Sequence, residues 1–131
     1  MKNNGKFISI NNQSINEALE KTSRQYLVGN LKLPQLIQHI DESDLEIGIS
    51  YYKEDNSYES AHWHPVQKEF QYVLSGRTVY TNAVTGEKYE YKEGDFYAIY
   101  PEICYKQVSD AGTKILFIKT PSVDDKVDWE M

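Results

Sequence analysis

From Leu45 onward, apolar and polar residues alternate with a period of two. LEIGISYY, EFQYVL, RTVYT, EKYEYK, DFYAIY, ICYKQV and KILFIK are seven short stretches rich in β-branched and aromatic residues. That is the composition of strands with one face buried. EDNS, SG, VTGE, KEGD and SDAG lie between them and supply the Gly, Asp, Asn and Ser that tight turns use. No connection is long enough to be a crossover helix, so antiparallel pairing in a sandwich or barrel is expected, not a parallel α/β sheet.

The first forty residues follow another pattern. Ser14 to Glu17 reads S-I-N-E, a capping-box spacing that predicts a short helix over about residues 15–22. Pro34 interrupts LKLPQLIQHI, which therefore reads as an edge strand or a crossing loop. Leu31, Leu33, Leu36, Ile37 and Ile40 in this arm need cover, either from the barrel wall or from a second subunit. The expected organisation is an N-terminal arm over residues 1–44 and a β-barrel over 45–131, with one core in a chain of 131 residues.

Composition narrows the function classes. Hydrophobic residues are 40% and charged residues 26% of the chain, the balance of a globular protein that folds alone. A net charge of −6 with no basic stripe argues against nucleic-acid binding. No apolar run approaches the ~20 residues of a membrane span, so no membrane partner is expected. The single cysteine, Cys104, has no internal disulfide partner, and MKNNGKFISINN lacks the apolar centre of a signal peptide, so the expected location is the cytoplasm. Tyrosine is abundant, 11 residues against 4 phenylalanines. Strand propensity accounts for most of that, and phenols also suit a wet cavity.

The candidate chemistry sits in AHWHP. In a strand, His62 and His64 face the same side, and Glu69, opening the next strand, can reach the same spot from an antiparallel neighbour. Two imidazoles and one carboxylate with open positions suit a single divalent metal ion: iron, manganese, nickel or zinc. His39, alone on its segment, reads as an ordinary surface or core residue. Glu69 sets the phase of its strand, so Gln71 and Val73 share its face while Phe70, Tyr72 and Leu74 point the other way. Gln71 is thus a candidate pocket residue. Tyr89, Tyr91, Phe96 and Tyr97 read as core or wall residues, and Glu87, Lys88, Glu90 and Lys92 as a solvated face.

The run from His62 to Gly76, H-W-H, four residues, Glu69, six residues, Gly76, resembles the first signature motif of the cupin superfamily. GDFYAIYPEICY is similar to the second. Aligned on Gly94, with Pro101 in the turn, the position of the usual metal-binding histidine falls on Tyr105. The resemblance covers about residues 45–120. It implies an all-β, RmlC-like jelly-roll barrel (a double-stranded β-helix) with a short N-terminal helix and arm. Phased from Tyr105, Gln107 also faces the pocket, while Cys104 and Lys106 face away and Cys104 is a packing residue.

The resemblance further implies a metal-dependent small cupin acting on a small polar molecule, with carbohydrate isomerisation or epimerisation one expectation and Tyr105 and Glu69 as catalytic residues. A non-catalytic sugar-binding or sensing cupin and an iron-dependent dioxygenase stay open. Tyr105 is left as a metal ligand, a proton donor or a wall residue. Small cupins that pair through N-terminal strands make a homodimer the expected assembly.

Overall fold

The structure, a computed structural model, describes residues 7–128. Among these, one helix, α1 (Asn12–Lys21), precedes eleven strands: β1 (Arg24–Gly29), β2 (Ile40–Asp41), β3 (Glu46–Tyr52), β4 (Ser57–Trp63), β5 (Lys68–Ser75), β6 (Arg77–Asn82), β7 (Lys88–Lys92), β8 (Phe96–Ile99), β9 (Tyr105–Ser109), β10 (Thr113–Thr120) and β11 (Val127–Asp128). All seven of the alternating stretches form strands. They assemble into two facing sheets, six strands in the order β2-β1-β3-β10-β5-β8 and five in the order β11-β4-β9-β6-β7. Every pair is antiparallel except β1 with β2.

The helix starts three residues before the expected point. Asn11, not Ser14, is its cap: the Asn11 side chain accepts from the Ser14 amide at 2.8 Å, so Ser14 lies one turn inside. The helix ends where Thr22 turns extended and donates from both its amide (3.0 Å) and its hydroxyl (2.8 Å) to the Ala18 carbonyl. Ala18 and Leu19 are the residues it buries.

The N-terminal arm does more than pack on the barrel. Its β1 is a strand of the six-stranded sheet, paired with β3 from Arg24 opposite Ser50 to Val28 opposite Ile47. The segment around Pro34 is a loop that joins the sheet only at Ile40. Leu33 is 80% and Leu36 58% exposed, so the barrel of this chain does not cover them.

Between the sheets the inward residues follow the expected phase. On β5 these are Glu69, Gln71 and Val73, and on β10 Thr113, Ile115 and Phe117. The interior is apolar in its middle, at Val73, Tyr80, Tyr97, Ile115 and Phe117, and polar at both ends. One end is closed by Thr78, Ser109 and Thr113; the other opens into the cavity that holds the two histidines. Glu87, Lys88, Glu90 and Lys92 are solvated as expected, but Tyr89 and Phe96, expected as core or wall, are 43% and 62% exposed. Both lie on strands that end their sheets, where one side has no neighbour.

Candidate functional site

His62 and Glu59 both face the cavity although they are three residues apart, a spacing that alternation forbids. A register shift in β4 explains it: Glu59 pairs with Gln107 and His62 with Tyr105, three residues on one strand against two on the other. This bulge re-aims the chain by one residue. His64 lies just past the end of β4. Its Nδ1 is 2.8 Å from Asp125 Oδ1, while Asp125 Oδ2 accepts from the amides of Val66 (2.8 Å) and Gln67 (2.9 Å). These hydrogen bonds hold the Asp125 carboxyl below its usual range although burial alone works the other way. His62 Nδ1 is held by the Ser60 carbonyl at 2.9 Å. Burial lowers the pKa of the His62 imidazole, favouring its neutral form.

The expected residues do come together. His62, His64, Glu69, Gln71, Tyr105 and Gln107 all line one cavity of about 50 Å³. On its wall the Tyr105 hydroxyl donates to Glu69 Oε2 at 2.5 Å. Glu69 Oε1 stands 3.4 Å from Lys119 Nζ and 3.9 Å from His64 Nε2. Burial, and then the neighbouring Glu69 carboxylate, push the Tyr105 phenol well above its ordinary value. It is therefore a neutral donor at rest. Cys104 is a buried free thiol, raised by burial, and as expected it is absent from the cavity lining.

Several cavity residues were not expected. Arg24 donates to Ser50 Oγ (2.9 Å) and pairs with Glu59 (3.4 Å), which also accepts from the Tyr52 hydroxyl at 2.7 Å. Lys119 is the inward end of the Thr113, Ile115, Phe117 series, and period two in KILFIK was the signal for it. Nothing comparable marks Arg24, whose strand lies outside the alternating region. Asp125, bonded to His64, and Lys126, on the cavity wall, immediately precede β11, which pairs with β4.

The donor set fits a metal only in part. The imidazoles suit one: each has Nδ1 engaged, which leaves Nε2 to offer. The carboxylate does not, because its two oxygens are committed to Tyr105 and to the Lys119 ammonium. Among the described residues no three His, Cys, Asp or Glu side chains converge closely enough to hold an ion. The expected ligands His62, His64 and Glu69 are neighbours on one cavity, and Lys119 stands directly opposite Glu69 in the ladder.

The likeness to solved structures agrees with this architecture. KdgF from Halomonas sp. superposes with a TM-score of 0.59 at 17% identity, over 78% of this chain and 80% of that one. A double-stranded β-helix protein from Klebsiella pneumoniae gives 0.58 at 17% identity over 69% and 78%. Pac13 from Streptomyces, a nucleoside dehydratase, gives 0.58 at 12% identity over 69% and 72%. No curated protein sequence matches the chain. The cupin domain model matches residues 51–118, more than half of the chain and the whole span from the end of β3 into β10, so the protein belongs to the cupin family.

Proposed function

We propose that this cupin acts on a small polar molecule by proton transfer between Glu69 and Tyr105, with no metal ion taking part. The observation that carries the reading is the 2.5 Å hydrogen bond from the Tyr105 hydroxyl to Glu69, flanked by Lys119 at 3.4 Å. A cavity of about 50 Å³ holds roughly three or four waters, so it takes the reacting end of a small molecule.

The chemistry follows from the arrangement. Glu69 removes a proton from the substrate, and the charge that develops on a neighbouring oxygen is met by the Lys119 ammonium. Tyr105 delivers its proton to the substrate and becomes a phenolate. Protonated Glu69 then returns a proton to that phenolate across the bond they share, and both groups are as they began. Isomerisation or epimerisation next to a carbonyl, as in a carbohydrate, needs this sequence and no more. One structural neighbour, Pac13, is a nucleoside dehydratase, and a variant of it is seen with uridine.

The test begins with elemental analysis and a thermal-stabilisation screen of sugars, sugar derivatives and nucleosides, since a ligand raises apparent stability by mass action. The expected results are metal well below one ion per chain, and a stabilising ligand that is turned over in the presence of a chelator. Tyr105→Phe then lowers turnover by about 100-fold with ligand affinity little changed. One tightly held ion per chain would overturn the metal-free reading. A ligand bound without turnover would make the chain a binding module.

A further inference from the structure

A second concavity lies on the other side of Tyr105. It occupies the seam where the two sheets end, with edge strand β8 on one side and edge strand β7 on the other. Its volume is about 250 Å³, and Tyr80, Tyr91, Tyr97, Ile99, Ile103 and Tyr105 supply most of its walls.

Three of these tyrosines are turned so that their polar ends face away from it. The hydroxyls of Tyr80 and Tyr97 hydrogen-bond each other at 2.5 Å and lie 3.0 and 2.8 Å from Gln71 Oε1, and that of Tyr105 donates to Glu69. Gln71 and Glu69 belong to the polar cavity, so what remains for the cleft is ring carbon. Tyr91 lies flat on Tyr97, with centroids 4.0 Å apart and planes 13° from parallel. Ile103 at the rim is 44% exposed, an apolar side chain left open to solvent beside an apolar cleft.

We propose that this cleft binds a planar, weakly polar heteroaromatic ring, of the kind a nucleobase presents. Its volume is just below the ~300–1,000 Å³ of pockets for drug-sized ligands, which suits one ring system. Flat aromatic walls favour offset stacking and edge contacts with a flat ligand. The polar groups are few. Asn82 gives its carboxamide oxygen to the amides of Val84 (2.9 Å) and Thr85 (3.1 Å), which leaves its NH₂ to meet a ring carbonyl or ring nitrogen. Tyr89 at the rim already donates to Glu87. A sugar ring needs a partner for each hydroxyl it buries, and these walls do not provide them. The inference goes beyond the proton-transfer reading and does not rest on it.

The experiment titrates uridine, uracil and ribose separately into isotope-labelled protein and follows backbone amide resonances. Uridine and uracil are expected to shift Asn82, Tyr91 and Ile103 in a saturable way, and ribose is not. Ile103→Glu puts a charge at the rim and weakens binding of uracil by about tenfold or more; Tyr91→Leu removes the stacked ring and serves if the first variant loses its dispersed spectrum. Tyr105→Phe keeps the ring and keeps uracil binding, so failure of proton transfer and failure of this site are read separately. No saturable shift from uridine and uracil, an equal response to ribose, or undiminished binding in a folded Ile103→Glu or Tyr91→Leu protein would each overturn the proposal.

Discussion

Two clusters of buried polar groups lie at opposite ends of the same barrel, and they differ in charge. At the closed end, Thr78 and Ser109 share a 2.8 Å hydrogen bond, and Gln107, whose side chain lines the cavity, reaches back to donate to Thr78 at 2.8 Å. Thr113 donates to the carbonyls of Arg77 (3.0 Å) and Asp110 (2.7 Å) and accepts from the Arg77 amide at 3.1 Å. Every one of these groups is neutral, and each has its partners within the protein. At the open end sit a carboxylate, a phenol, two imidazoles and a lysine, all sharing a cavity. A neutral, fully paired cluster stabilises a fold and has nothing to offer a ligand. Charged groups held a few ångströms apart are costly to bury and shift one another's proton affinity, which is what proton-transfer sites need.

That contrast can be broken from either end. The largest stability effect is expected at the closed end from Gly76→Ala. Gly76 has φ of +84°, and a Cβ there falls 2.3 Å from Thr113 Oγ1 and 2.6 Å from Thr113 Cα. Backbone strain and overpacking together predict a loss of about 3 kcal/mol in denaturant unfolding. Thr113→Val keeps the shape but removes one donor and one acceptor, stranding the Arg77 amide; the expected loss is about 2 kcal/mol. If either change is neutral, the closed end does not stabilise the fold in this way.

The smallest effect is at the open end and depends on pH. Burial lowers the His62 pKa in the folded chain, so the unfolded chain binds this proton more readily. The contribution of His62 is complete above its ordinary pKa of ~6.5 and is lost progressively as pH falls below it. Thermal midpoints measured from pH 7.5 down to 5.5 should therefore fall, and fall less steeply in His62→Gln. Equal slopes for the two proteins would show that His62 is not held neutral.

Much of the barrel is legible in the amino-acid sequence alone. All seven alternating stretches form strands, and the phase set by Glu69 correctly places Gln71 and Val73 inside. What escapes are elements without periodicity. β1 has mixed burial along its length, and β11 is two residues long; a strand held by its neighbours need not carry its own pattern. The helix start is displaced by three residues because Asn11 is as good a cap as Ser14 and comes first.

For the site, alternation and antiparallel pairing set which face His62 and Glu69 occupy, but β5 is not the expected antiparallel neighbour of β4: the two strands belong to opposite sheets, and the histidines and Glu69 meet across the barrel interior. The same rules put Tyr105 and the two glutamines on the inner face. Whether those side chains form a metal site or a proton-transfer pair is decided elsewhere. Lys119 lies 50 residues along the chain from Glu69 and Asp125 lies 61 from His64, and the bulge in β4 turns Glu59 inward with them. Local sequence sets which face a side chain occupies; only the closing of the two sheets sets which charges meet, because charge pairing depends on distance in space and not on position along the chain.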